Sequence, residues 1–211
     1  MVKKVSLKEQ IREGIFKEII KGELTGILNE KELIERYEVS KTSVREALIE
    51  LCQQDVLRVI PRCGYEVVTV SDRDVRDATE LRMLLELSCF ERAVANMTPE
   101  DIARFKDWAF QLKHTLSMEI WQYWDRNLSF HVQFNAFAGN RLMNETLSKT
   151  LNILWRANAQ QWKRKQATQM QLEGQHPHQV MMLLLEEGKV AEAKKVLEDD
   201  IRKIPKVMSE F

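Results

Sequence analysis

The sequence that decides the fold is Val39-Ser40-Lys41-Thr42-Ser43-Val44-Arg45-Glu46-Ala47-Leu48-Ile49-Glu50-Leu51. Ser40 is a good helix N-cap, and the apolar residues after it recur at helical spacing along one stripe. The polar and basic side chains lie on the opposite face, near the N-terminus of the helix, which is where recognition helices contact base edges. The run therefore predicts a helix that enters the major groove of DNA.

The sequence on both sides of this helix predicts a winged helix-turn-helix. Residues 29–38 form a short helix with an Asn29/Glu32 capping box, joined to the next helix by a tight turn. After the recognition helix, the β-prone runs 56–60 and 65–70 surround the turn Pro61-Arg62-Cys63-Gly64. With an amphipathic helix over 7–20, these elements make residues 1–70 a DNA-binding domain.

Overall charge gives no support to DNA binding, because the chain has 32 basic and 32 acidic residues. Residues 1–70 are also balanced, so the support must come from a local basic face. The candidates for that face are Lys3, Lys4, Lys31, Lys41, Arg45, Arg58 and Arg62. The longest apolar runs are far shorter than the roughly 20 residues of a membrane helix. Three cysteines without CxxC spacing fit a reducing compartment, so the cytoplasm is the expected location.

From residue 71 onward the pattern is helical throughout, without strand alternation. Ser71 and Asp74 form a capping box directly after the last β-prone run, so the second domain begins almost without a linker. The predicted helices are Asp72 to Met97, Pro99 to Ser117, Trp121 to Ala138, Arg141 to Lys165, His178 to Glu187 and Val190 to Lys203. The expected fold is mostly α, with residues 71–211 forming an all-α antiparallel bundle that binds an effector and dimerises.

The motif quoted above, with Glu32-Leu33 before it and Pro61-Arg62-Cys63-Gly64 after it, resembles the DNA-binding domain of the GntR family of bacterial transcription regulators. The second domain resembles the FCD domain of the FadR-type branch. Three stretches carry that resemblance: Glu80 to Glu86, Phe130 to Asn140, and His178 to Ala193. Six helices favour the smaller, VanR-like subtype. The resemblance implies a homodimer, an inverted-repeat double-stranded DNA operator, and a small organic or sugar acid as effector.

The expected DNA contacts follow from the recognition helix and the wing. Arg45 is expected to reach a guanine edge in the major groove, and Lys31 the phosphate backbone. Cys63 and Gly64 are expected at the wing tip, close to the minor groove, with Gly64 permitting the close approach. The remaining DNA-binding candidates, near phosphates or bases, are Ser40, Lys41, Thr42 and Ser43.

The FCD branch builds a metal site from an aspartate four residues before a histidine and from two later histidines. The corresponding residues here are Asn127, His131, His178 and Asp200. Positions i and i+4 share one helix face, and the other two residues lie on later helices that can converge in a bundle. This ligand set suits zinc, nickel, manganese or iron, and Arg82 is expected to help neutralise an effector carboxylate. In the alternative interpretation, the two histidines are ordinary buried, hydrogen-bonded side chains.

No enzyme motif of the HExxH, GxSxG, P-loop or GxGxxG kind occurs in the sequence. A binding protein and not an enzyme is therefore expected. Two alternatives remain: a DNA-binding protein whose helical dimerisation domain senses nothing, and a metal-dependent hydrolase, which would need an open metal position with a base beside it.

Overall fold

The computed structural model describes residues 6–113, 120–165 and 176–209. Their Cα positions group into two compact units. The first runs to Val70 and takes in residues 159–165, and the second begins at Ser71. The assignment of residues 1–70 and 71–211 to two functional domains stays a prediction. Among the described residues, no helix is both long enough and apolar enough to span a membrane.

The first unit has the order of elements of a winged helix-turn-helix. Its helices are α1 (Leu7–Ile20), α2 (Glu30–Tyr37) and α3 (Lys41–Gln53), and its strands are β1 (Ile27–Leu28), β2 (Leu57–Ile60) and β3 (Gly64–Val67). The three strands form an antiparallel sheet in the order β1-β3-β2. The predicted winged fold is confirmed.

The apolar stripes of α1 and α3 supply most of the core of this unit. The buried residues of these two helices are Ile11, Ile15, Ile19, Val44, Ala47, Leu48 and Leu51. Ser40 caps α3, since its side chain accepts a hydrogen bond from the backbone N–H of Ser43 at 3.2 Å. Asn29 caps α2 by accepting from the N–H of Lys31 at 2.9 Å, one position earlier than the expected capping box with Glu32.

Gly64 begins the strand that follows the wing turn, and the fold itself requires a glycine there. Its φ is +130°, and an added Cβ would lie 2.4 Å from the carbonyl oxygen of Leu28 in β1. A side chain at this position would therefore push β1 and β3 apart. This internal role is independent of any contact with DNA.

Six helices are described after Ser71, and all of them belong to the second unit except for residues 159–165 of α7: α4 (Asp72–Asn96), α5 (Pro99–Lys113), α6 (Ile120–Ala136), α7 (Arg141–Lys165), α8 (Pro177–Glu186) and α9 (Val190–Ser209). The predicted all-α fold is confirmed, although α9 continues beyond its predicted end at Lys203. The last residues of the predicted second helix, 114–117, lie outside the described residues. The Ser71/Asp74 capping box is present, with the Ser71 N–H donating to Asp74 at 2.8 Å.

An aromatic core fills one part of the second unit. Phe105 packs edge-to-face on Phe130, Phe134 and Phe137, with ring centroids 5.3–5.9 Å apart. Helix α4 packs against α6 and α9, and α8 packs against α5 and α9. This packing brings α4, α6, α8 and α9 together around a small group of buried polar side chains.

Candidate functional site: a DNA-reading surface and a buried polar cluster

The N-terminal end of α3 is an exposed polar surface, as its sequence predicts. Ser40, Lys41, Thr42 and Arg45 are exposed, and Ser43 is half-buried. The hydroxyls of Ser40 and Ser43 lie 2.9 Å apart, so the two predicted DNA contacts also form the cap of the helix. Lys31 is exposed on α2, with its Nζ atom 4.0 Å from a carboxylate oxygen of Glu35.

Arg45 is already held by a carboxylate that the sequence reasoning did not single out. Its Nε atom lies 2.9 Å from both carboxylate oxygens of Glu30, the first residue of α2. Tyr65 in β3 donates its hydroxyl to the same carboxylate at 3.3 Å. The hydrogen bond to Glu30 raises the pKa of Arg45. One carboxylate thus joins the recognition helix, the preceding helix and the wing sheet.

The wing turn lies between β2 and β3. Cys63 is exposed, and its backbone N–H donates to the carbonyl of Ile60 at 3.0 Å. Arg58 and Glu66 form an ion pair across the two strands, in which Arg58 Nε lies 3.1 Å from the Glu66 carboxylate. The wing therefore carries its own arginine–glutamate pair, separate from that of Arg45.

The second unit brings together four of the residues predicted for its ligand site, which are Arg82, His131, His178 and Asp200. Arg82, Asn127, His131 and His178 are buried, and Asp200 is half-buried. Glu86, one helical turn after Arg82 on α4, lies among them and is 4% exposed. The cluster therefore combines side chains from α4, α6, α8 and α9.

Glu86 fixes the orientation of the His131 ring. His131 Nδ1 lies 2.7 Å from Glu86 Oε2, and the other oxygen accepts a hydrogen bond from Arg82 Nε at 2.5 Å. A carboxylate accepts hydrogen bonds only, so Nδ1 carries the proton and the lone pair of the neutral ring is on Nε2. Arg82 Nη2 lies 2.8 Å from that Nε2 atom. This arrangement orients a histidine as a metal ligand does when it is held by a carboxylate.

The Nε2 atom of His131, which Arg82 contacts, also lies near the other two candidate ligands. His178 Nε2 lies 2.9 Å from His131 Nε2. Asp200 Oδ2 lies 3.9 Å from His178 Nε2 and 4.0 Å from His131 Nε2. These three ligand atoms lie within 4.8 Å of one another, which suits coordination of one divalent ion. Asn127 is buried one helical turn before His131 on α6.

Burial and charge set the protonation of this cluster. Burial by itself raises the pKa of Glu86, but the charge of Arg82 and the hydrogen bonds from His131 and Arg82 outweigh it and lower the pKa to about 2. Burial, together with the neighbouring His131, His176 and Arg82, holds the pKa of His178 well below its usual range. An ionised Glu86 can hold the His131 ring in place, and a neutral imidazole, as at His178, is the form that binds a metal.

His178 lacks the orienting contact that His131 has. Its Nδ1 atom is buried and finds no hydrogen-bond partner among the described residues. In the hydrogen bond between the rings, His178 donates from Nε2, because Nε2 of His131 is the acceptor. Metal binding through His178 Nε2 would move the ring proton to Nδ1. No hydrogen-bond acceptor for Nδ1 lies among the described residues. The donor set therefore fits a metal by residue type and distance, but binding would require Arg82 Nη2 to leave the lone pair of His131 Nε2, and the proton of His178 would lack an acceptor among the described residues.

Sequence reasoning missed two residues of this cluster. Glu86 lies within the stretch that resembles the FCD opening helix, and its i+4 spacing from Arg82 was the available signal. His176 is buried and caps α8, accepting a hydrogen bond from the N–H of His178 at 3.2 Å. A histidine two residues before another, directly before a proline, marks a helix start, but imidazole is an uncommon N-cap and gives a weak signal.

Comparison with known proteins gives two family matches. The model of the bacterial regulatory proteins of the gntR family matches residues 7–67, and the FCD domain model matches residues 77–203. Together they cover both units of the chain.

Individual relatives resemble this chain at low sequence identity. The transcriptional regulator McbR of Escherichia coli is 33% identical over 108 residues, which are 50% of this chain and 49% of that protein. The chain therefore spans about half the length of that relative. The Uxu operon regulator of Haemophilus influenzae is 26% identical over 90% of this chain and 74% of that protein. The solved structure of E. coli McbR shares the fold, with a TM-score of 0.77 at 20% identity over 98% of this chain and 99% of that one.

Proposed function

Because the chain belongs to the GntR family of bacterial regulatory proteins and carries an FCD domain, we propose that it is a homodimeric transcription regulator. In this proposal it binds an inverted-repeat DNA operator and responds to a small organic or sugar acid. The family is one of transcriptional regulators and not of enzymes, which confirms the expectation of no enzyme.

The observation that carries the DNA-binding proposal is the exposed polar end of α3 within a winged helix-turn-helix. Its cap, its buried apolar stripe and its exposed Lys41, Thr42 and Arg45 give the geometry of a recognition helix. We propose that Arg45 contacts guanine, with Ser40 and Ser43 near the phosphates. Lys31 then contacts the backbone, and Cys63 and Gly64 lie near the minor groove.

The proposed dimer follows from specificity, because one recognition helix reads too few base pairs for a genomic site. Leu81 and Leu84 are exposed on α4, the latter to 63%. Two exposed leucines three residues apart share one helix face, which suits a self-complementary contact with a second copy. The six helices described after Ser71 support the VanR-like subtype.

The buried cluster supports a sensing role for the second unit. We propose that His131, His178 and Asp200 hold a divalent metal, with Asn127 as a fourth ligand. When bound, such a metal supplies a positive centre that attracts an effector carboxylate. Glu86 orients His131 and already pairs with Arg82, so Arg82 can contact an effector only while sharing its guanidinium with Glu86. Helices α4, α6, α8 and α9 would then respond to one small ligand.

Selection of bound sequences from a randomised double-stranded DNA pool by the full-length protein tests the DNA-binding proposal. We expect an inverted repeat. Arg45→Ala should weaken binding by about tenfold to a hundredfold and relax one base position. Lys31→Ala should weaken all sequences alike and reduce the salt slope by about one unit. Failure of the wild-type protein to select any sequence would contradict the proposed function.

Elemental analysis of protein purified without chelators tests the metal proposal. We expect wild-type protein to carry zinc, nickel, manganese or iron, and the His131→Ala/His178→Ala variant to carry much less. If the two proteins carry equal metal, and added metal does not raise the melting temperature of the wild type, the histidines are ordinary buried side chains. The helical unit would then bind its effector without metal, or would only dimerise.

A further inference from the structure

We infer that Glu30 is a specificity-determining residue, which holds Arg45 in the orientation that reads guanine and links that orientation to the wing. This inference rests on the proposed DNA-binding function. Glu30 is the first residue of α2, and its side chain is 21% exposed, whereas that of Arg45 is 54% exposed. The carboxylate is therefore the less exposed member of the pair, and the guanidinium is the more accessible one.

The contact with Glu30 uses the Nε atom of Arg45 and leaves the two terminal nitrogens for another partner. Both Glu30 oxygens lie 2.9 Å from Nε, the nitrogen nearest the side-chain stem. A guanidinium has further donors on its two terminal nitrogens, Nη1 and Nη2, in a fixed planar fork. Guanine presents two acceptors, O6 and N7, that match such a fork. Fixing Nε sets the plane of the fork before DNA arrives, which lowers the conformational entropy lost on binding.

The charge of Glu30 also favours bases over phosphates. A phosphate contact depends mainly on net positive charge, while a guanine contact depends on the alignment of donors with two neutral acceptors. A carboxylate beside Arg45 offsets its charge and repels phosphate, but it leaves the donors of the fork in place. Glu30 should therefore weaken non-specific binding and preserve the specific contact.

Tyr65 gives the same carboxylate a second anchor. Its hydroxyl donates to Glu30 at 3.3 Å, and its backbone lies in β3, paired with Leu28 of β1 and Val59 of β2. The position of Arg45 is thus set from the sheet as well as from α2. A change at the wing strand can reach the recognition helix through this one carboxylate.

The test uses full-length protein and the operator that wild-type protein selects from a randomised pool, together with variants of that operator at single base pairs. Arg45→Ala first identifies the base pair that Arg45 reads. Glu30→Gln should then reduce the preference for guanine at that pair by about 5- to 20-fold and tighten binding to non-operator DNA. Tyr65→Phe, which removes only the hydroxyl, should produce a smaller change in the same direction.

Glu66→Gln is the matched control, since it removes the same charge from the Arg58–Glu66 pair of the same unit. It should alter the affinity for all sequences without changing the preference at the Arg45 base pair. Melting temperatures show that each variant is folded. Unchanged guanine preference in Glu30→Gln, or an equal loss in Glu66→Gln, overturns the inference and leaves the proposed function intact. If the wild-type protein selects no sequence, both fail.

Discussion

Two arginine–glutamate pairs, one in each unit, show how burial changes what the same two side chains do. Arg45 and Glu30 meet at the surface of the first unit, with side chains 54% and 21% exposed. Arg82 and Glu86 meet in the interior of the second unit, with side chains 1% and 4% exposed. At the surface, water and ions screen the attraction, and the arginine can still bind another group.

In the interior the charges cannot return to water, so each depends on its partner. Removing one member of a buried pair leaves an uncompensated charge in a medium of low dielectric constant. The buried pair also orients His131, so a structural ion pair serves a candidate ligand site. The surface pair is suited to recognising a partner, and the buried pair is suited to holding a geometry.

The largest expected effect is at the buried pair. Glu86→Ala should lower the free energy of unfolding by about 3–5 kcal/mol, because it leaves the charge of Arg82 buried without a partner. Urea denaturation followed by circular dichroism measures this loss. The double variant Arg82→Met/Glu86→Leu removes both charges and should be more stable than Glu86→Ala. If the double variant is at least as unstable as Glu86→Ala, the unpaired charge of Arg82 is not the cause of the lost stability.

An intermediate effect is expected on metal binding. Glu86→Gln keeps an oxygen near His131 Nδ1 but loses the charge, so it should weaken binding of nickel or zinc by about 10- to 100-fold. Calorimetric titration of metal into chelator-treated protein measures the affinity. Glu91→Gln is the control, since Glu91 lies on the same helix, is 72% exposed and pairs with Lys194. Equal weakening in both variants would contradict a specific orienting role for Glu86.

The smallest effect is expected on folding at the surface pair. Glu30→Gln should change the melting temperature by less than about 2 °C, because exposed ion pairs contribute little to stability. This small change should disappear in 1 M sodium chloride, where the screening length falls to about 3 Å. Differential scanning calorimetry at low and high salt measures both values. A large shift in melting temperature that persists at high salt would show that the Arg45–Glu30 pair contributes to stability as a buried pair does.

The sequence predicted the fold well because its signals are local. Ser40 before an apolar stripe, the Pro61 turn between β-prone runs, and the Ser71/Asp74 capping box each determine structure within a few residues. Helix ends were less accurate: Pro205, two residues after Lys203, is a usual sign that a helix has ended, yet α9 continues through it to Ser209.

The sites were harder to predict, because their key contacts join residues far apart in sequence. Glu30 on α2 contacts Arg45 on α3, 15 residues later, and Glu86 on α4 contacts His131 on α6, 45 residues later. A glutamate near the start of a helix is usually explained by the helix dipole, and nothing local indicates that it holds an arginine. The spacing of Asn127 and His131 was readable only because both lie on one helix.

The position of β1 in the sheet has a consequence for how the first unit assembles. Ile27 pairs with Glu66, and both α2 and α3 lie between them in the chain. Closing so long a loop costs conformational entropy, and the packing contacts of those helices offset that cost. The β2–β3 hairpin can form early, whereas β1 must join late. The Val67 amide, bonded to the Gly26 carbonyl at 2.8 Å, would then exchange its hydrogen only when this late step reverses. Slow hydrogen exchange at the Val67 amide would therefore report that β1 is joined to the sheet and that α2 and α3 are packed.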